Sequence, residues 1–189
     1  MEMEVVQAAA APPAKRSAVA LMVYWARDLL LSVVIAIIVI LFVYQPVKVE
    51  GTSMMPALTD QERIFINKFV YRFHIGSIDR GDMVVFWYPH DPSKSYIKRV
   101  IAVPGDRVQV DRGTVILNGT PLQENYVPAE YRDQVSMPAV TIPPGQYFVL
   151  GDHRSSSNDS RNWGLVPREY IYGKAVFVYW PPDKMGALN

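Results

Sequence analysis

Residues 29–50 read LLLSVVIAIIVILFVYQPVKVE, and the change of pattern inside this stretch decides the architecture. From Leu29 to Tyr44 there are sixteen residues without a charge. At ~1.5 Å rise per residue a helix of that length covers about 24 Å, most of the ~30 Å hydrocarbon core of a bilayer. Ala18–Ala26 is also apolar, so the helix is expected to continue toward the N-terminus, with Ser17 as its cap. Tyr24 and Trp25 suit one aromatic belt, and Phe42 and Tyr44 the other. Arg27 and Asp28 are placed near an interface, where Arg snorkels and the pair partly neutralises. At Gln45-Pro46 the apolar run ends and a different periodicity begins.

The flanks orient this segment. Lys15, Arg16 and Arg27 all precede the apolar core, which by the positive-inside rule puts residues 1–17 in the cytoplasm and residues 47–189 outside. The Ala/Pro-rich tail 1–17 is expected to lack fixed structure. A cleavable signal peptide needs small residues just after the apolar core. Here Tyr44-Gln45-Pro46-Val47-Lys48-Val49 follows instead, so an uncleaved anchor over residues 18–46 is expected. The alternative, a buried helix of a soluble protein, needs a second helical layer that the sequence does not offer.

Beyond Pro46 the pattern turns to period two and short apolar runs between turn residues. Val47–Glu50 reads as extended chain, and Arg63–Asn67, Asp82–Tyr88, Tyr96–Val103, Gln146–Leu150 and Ala175–Trp180 as strands. Arg107–Val110 and Thr114–Leu117 form a hairpin through Asp111-Arg112-Gly113, and Asn118-Gly119 is a further tight turn. Residues 120–144 are Pro-rich and read as irregular, and Pro167–Tyr172 as a short helical turn. Phe69, Tyr71 and Phe73 alternate, which sets three aromatics on one face of a strand, against a core or against lipid. The fold class expected is mainly β: an N-terminal transmembrane helix, then an antiparallel β core.

Composition narrows the function. The chain has 189 residues, and the part after residue 46 is long enough for its own core. With 19 Lys and Arg against 18 Asp and Glu, a net charge of +1 gives no electrostatic case for nucleic acid. No cysteine is present, which removes disulfides and a thiol nucleophile. The three histidines, His74, His90 and His153, are not spaced as metal ligands, and no metal or cofactor is expected.

Ser53, in Gly51-Thr52-Ser53-Met54-Met55-Pro56, stands nine residues beyond Tyr44 and is a candidate nucleophile just outside the bilayer. A serine hydroxyl needs a base. His153 beside Asp152 is one candidate, although neighbours on an extended chain point in opposite directions. The other is a lysine whose pKa is lowered from ~10.4 by burial. Lys98 shares a strand face with Tyr96 and Val100, so it must snorkel, pair or act as such a base. Ser155–Arg161 is a polar run between a strand and Trp163-Gly164. It suits either a flexible loop or an ordered one in which a hydroxyl positions the lysine.

Four stretches in order give the chain a family likeness: Gly51–Leu58 (GTSMMPAL), Arg80–Phe86 (RGDMVVF), Tyr96–Asp106 (YIKRVIAVPGD) and Gly151–Gly164 (GDHRSSSNDSRNWG). Together with the anchor, over residues 18–181, the chain resembles bacterial type I signal peptidases, membrane-bound Ser/Lys endopeptidases. The resemblance implies Ser53 as nucleophile and Lys98 as general base. It implies that Ser157 orients the lysine, that Asp159 and Arg161 form a supporting pair, and that Arg99 and Asp152 make a second charged contact. It implies shallow substrate pockets at Val49, Ile97 and Met54. It also implies a catalytic domain over 47–181 with a small inserted β subdomain at 107–144, and a tail at 182–189. The expected partners are signal peptides of exported preproteins and the lipid bilayer, with the enzyme a monomer. His153 stands where the family usually has Asn, and Gly51 where some members have Ser. Two other readings fit parts of the sequence: a self-cleaving Ser/Lys peptidase, which would want a DNA-binding module, and an anchored non-catalytic β module.

Overall fold

The computed structural model describes residues 18–42, 44–69 and 76–188. The expected cytoplasmic tail and the alternating residues Tyr71 and Phe73 lie outside them. Helix α1 spans Ala18–Phe42, without a proline or glycine to interrupt it. Its window Leu21–Val39 has a mean hydropathy of 2.0 and none of its length buried, long and apolar enough to cross a membrane. Arg27 and Asp28 fall inside that window and pair with each other at 2.8 Å.

Residues from Tyr44 onward are mainly antiparallel β, as the alternation predicts. The strands are β1 (Tyr44–Lys48), β2 (Arg63–Asn67), β3 (Met83–Tyr88), β4 (Asp91–Ala102), β5 (Arg107–Asp111), β6 (Thr114–Leu117), β7 (Thr120–Pro121), β8 (Met137–Thr141), β9 (Gln146–Leu150), β10 (Val166–Pro167), β11 (Ile171–Trp180) and β12 (Gly186–Ala187). An eight-stranded sheet has the order β1-β2-β11-β3-β4-β9-β10, with β12 on β11. A four-stranded sheet has the order β7-β6-β5-β8. Pro46 is tolerated in β1 because β1 is an edge, where a missing N–H breaks no ladder bond.

Alternation along the strands sorts side chains into separate cores. Val84 and Phe86 of β3 join Val100, Val149 and Trp163 on one face of the large sheet. Met83 and Val85 join Met54, Leu58, Ile64 and Ile66 on the other. Ile101, Phe148 and Leu150 pack with Val108, Val110 and Val115 of the small sheet, so the two sheets share a third core. Asn118 and Gly119, at φ 52 and 84, both take the left-handed conformation that a tight turn between β6 and β7 requires.

Several segments differ from the sequence reading: β7 also falls in the stretch read as irregular, and β11 begins at Ile171 rather than Ala175. Residues 137–141, read as irregular, form β8, an edge strand of the small sheet with Pro138 inside it. Its exposed, Pro-interrupted pattern hides the strand signal, and an edge is where such a strand survives. β4 begins at Asp91 rather than Tyr96, because Asp91 and Ser95 pair with Tyr88 and Trp87 of β3 while the exposed residues 92–94 bulge between them.

Candidate active site

β4 lies between β3 and β9, but its two neighbours do not run equally far. Lys98 pairs with Val84 of β3, whereas the pairing with β9 ends at Arg99 opposite Leu150. Beyond Leu150 the chain leaves the ladder at Gly151, and the loop from Gly151 to Asp159 folds in beside Lys98. The loop that carries Ser53 comes from the other direction. Val49 and Glu62 close it by Val49 N–H to Glu62 O at 2.7 Å and Gln61 N–H to Val49 O at 2.9 Å. Met54 and Leu58, 1% and 0% exposed, anchor it in the core and leave Ser53 half-buried at its turn.

Ser53 and Lys98, 45 residues apart in sequence, meet here: Lys98 Nζ lies 2.6 Å from Ser53 Oγ. Nζ also donates to the Ile97 carbonyl at 3.0 Å. Lys98 is 4% exposed and its ammonium stands 5.6 Å from the centroid of the Tyr96 ring. Burial lowers its pKa to about 8, against the opposing pull of the Asp159 and Asp152 carboxylates. A cavity of about 220 Å³ is lined by both residues and by Val47, Val49, Ile64, Val85 and Ile97. Lys48, Glu50 and Ser95 line it as well, so β-branched apolar side chains share it with polar ones.

Charged pairs brace the loop. Arg99 grips Asp152 bidentately, at 2.9 and 2.7 Å, with both groups buried. Asp159 accepts from Arg161 Nε and Nη2, each at 2.8 Å, and from the Gly151 N–H at 3.1 Å. It also caps the short helix α2 (Ser160–Trp163). Arg161 reaches on to Asp133, and Arg154 pairs with Glu124, both carboxylates lying between β7 and β8. Arg154 Nε donates to the Gly151 carbonyl at 2.9 Å. Sequence reasoning missed Glu124 and Asp133, which sit in a Pro-rich stretch with no spacing rule to mark them.

The geometry departs from two expectations and from one alternative. Ser157 does not hydrogen-bond Lys98: its Oγ is buried without a partner among the described residues, and it faces Gly151. The lysine's bonds go to Ser53 and Ile97 instead. Met54 is not a cavity wall, because its side chain turns into the apolar core behind Ser53. A histidine-centred triad is not assembled either, since Asp152 is taken by Arg99 and His153 faces the Thr52 carbonyl at 3.2 Å.

Gly151 is the contact point of the two loops. A Cβ there would stand 2.2 Å from Ser157 Oγ and 2.5 Å from the Ser53 carbonyl oxygen, and the second is backbone that gives way only if its whole loop moves. Gly151→Ala is expected to push the Ser53 loop off Lys98. The measurable result is a loss of turnover of about 10²-fold or more, since misplacements near 1 Å have that effect. A variant that turns over normally would show that the loops do not need this contact.

A hydroxyl facing a buried amine of lowered basicity, with both lining one cavity, has the chemistry of a serine hydrolase. The family model for signal peptidase, peptidase S26, matches residues 22–180. A probable signal peptidase I-1 of Synechocystis sp. is 39% identical over 85% of this chain and 84% of its own length. A signal peptidase I of Bacillus amyloliquefaciens is 37% identical over 83% of this chain and 84% of its own. A solved signal peptidase I from Enterococcus faecalis aligns at a TM-score of 0.47 and 30% identity, over 53% of this chain and 97% of that one. The chain belongs to the signal peptidase family, peptidase S26, and is a serine endopeptidase.

Proposed function

We propose that this chain removes N-terminal signal peptides from exported preproteins, with Ser53 as nucleophile and Lys98 as general base, while anchored in a membrane by residues 18–46. The observation that carries this reading is the 2.6 Å approach of a lysine amine, buried and of lowered pKa, to a serine hydroxyl. Neutral Lys98 takes the Ser53 proton as Oγ attacks the scissile carbonyl. The Ser53 backbone N–H faces the oxygen that becomes negative. The tetrahedral adduct collapses, the C–N bond breaks, and the leaving amine takes the proton back from Lys98. Water then gives a proton to the same amine and attacks the acyl-enzyme; the bond from Ser53 Oγ to the acyl carbon breaks, Lys98 returns the proton to Oγ, and the acid leaves.

The roughly 220 Å³ cavity with β-branched walls at Val49, Val85 and Ile97 suits small substrate side chains. By family resemblance these are usually alanines one and three places before the cut. In this reading residues 1–17 are cytoplasmic and residues 47–181 form a monomeric catalytic domain on the far side, with 107–144 inserted in it and 182–189 as a tail. Anchoring keeps the enzyme and a signal helix in one plane and raises their effective concentration.

The full-length protein, purified in detergent micelles, is expected to cut a preprotein bearing an Ala-X-Ala site after the second Ala. Ser53→Ala should cut nothing. Only the neutral amine is a base, so kcat/KM should rise about tenfold per pH unit and level off near pH 8, where Lys98 titrates. Cutting retained in Ser53→Ala would remove the nucleophile. Protease digestion of residues 47–189 from the cytoplasmic side of oriented vesicles would reverse the topology.

A further inference from the structure

One residue grips the backbone on both sides of Ser53. The His153 backbone N–H donates to the Ser53 carbonyl at 3.1 Å, and its ring Nδ1 lies 3.2 Å from the Thr52 carbonyl oxygen. A carbonyl oxygen only accepts, so this contact requires the proton on Nδ1. Both the Nδ1–H tautomer and the imidazolium provide it. The Tyr131 ring, from the turn Ala129–Tyr131, packs on the imidazole with centroids 4.3 Å apart and planes inclined by 47°. The ring is therefore clamped between an aromatic face and a peptide oxygen.

The Thr52 carbonyl and the Ser53 N–H belong to the same planar trans amide and point in opposite directions. Whatever fixes the carbonyl fixes the N–H. Thr52 O accepts from His153 Nδ1 and from the Met55 N–H at 3.1 Å, so two donors set the plane from one side. The Ser53 N–H is thereby aimed away from His153. A donor on the carbonyl also polarises the amide and strengthens the N–H opposite it.

We infer that His153 is a positioning residue for the oxyanion: by donating to the Thr52 carbonyl it sets the plane of the Thr52–Ser53 peptide and so the aim of the Ser53 N–H. The inference rests on the reading of Ser53 as nucleophile given above. His153 acts through the peptide and not as a base, since the Asp152 carboxylate is committed to Arg99.

The test compares His153→Phe and His153→Asn with wild type, all full-length in detergent, against the same preprotein. His153→Phe keeps a ring for Tyr131 and loses the donor. It should lower kcat about 10- to 100-fold, less than deletion of an oxyanion donor, with KM unchanged within about twofold. The pH midpoint near 8 should stay in place, because Lys98 keeps its surroundings. His153→Asn carries an amide donor at the same distance along the side chain and should recover kcat to within about threefold. The inference is overturned by a normal kcat in His153→Phe or by His153→Asn turning over as poorly as His153→Phe. A fall in kcat accompanied by a shifted pH midpoint would also overturn it, because that marks collapse of the loop. If wild type and Ser53→Ala cut equally or neither cuts, the underlying reading fails. If wild type cuts, Ser53→Ala does not and His153→Phe is normal, only this inference fails.

Discussion

Lys98→Met is expected to abolish preprotein cleavage, by about 10⁴-fold or more, and at the same time to make the folded protein more stable at pH 7. The first effect follows from the proposed role of Lys98, whose amine is the only base in hydrogen-bond contact with Ser53 Oγ among the described residues. The second follows from linkage. Burial lowers the Lys98 pKa from 10.5 to about 8, so between these values the unfolded chain binds the proton and the folded chain does not. Stability therefore rises as pH climbs through that window, and below pH 8 the folded state carries the whole penalty of a buried ammonium, about 3 kcal/mol. Methionine fills a similar volume without a charge, so at pH 7 thermal unfolding should move up by several degrees, roughly 5–10 °C. The gain should vanish as pH approaches 10.5. Lys98→Arg should be equally inactive, because a guanidinium does not release its proton near neutral pH. Residual cutting in Lys98→Met would dismiss the lysine as base. A lower unfolding temperature at pH 7 would show that its burial is not a stored cost.

Glu124→Leu should produce the largest loss of stability. It leaves the Arg154 guanidinium buried with no counter-charge, and both side chains are at most 3% exposed. Burial works against the Arg154 charge, and the adjacent Glu124 carboxylate outweighs it and raises the guanidinium pKa. Arginine cannot escape by deprotonating, so the break should cost about 3–5 kcal/mol, or about 10 °C in thermal unfolding. Arg154 also donates to the Gly151 carbonyl, so turnover should fall as well. The double variant Glu124→Leu with Arg154→Met removes both charges and should regain most of the stability. If it is no more stable than Glu124→Leu alone, the buried pair is not the source of the loss.

The residues that were legible and those that were not divide along a physical line. The strand Arg63–Asn67 announces itself by alternation, and Gln146–Leu150 and the body of β4 by short apolar runs, because both faces of the latter two pack against cores. β8 does not, since an edge strand with Pro138 and exposed side chains has no buried face to encode. Lys98 was noticeable as a charge in an apolar strand. Ser157 was assigned by resemblance to the lysine, and its hydroxyl turns instead toward Gly151. Glu124 and Asp133 carried no mark, because a carboxylate in a turn-rich segment looks solvated until a guanidinium covers it.

The sequence by itself determined the apolar helix, the β class and the order of the four motifs that place the chain in its family, since these depend on local periodicity and residue type. Only the tertiary structure decided that β9 stops one residue short of Lys98 and that two loops close into the gap. It also decided that buried pairs from a second sheet segment brace one loop, and that His153 faces a peptide oxygen rather than a carboxylate. Those are contacts between residues tens of positions apart. Their distances are set by how the cores pack, and no local pattern along the chain carries that information.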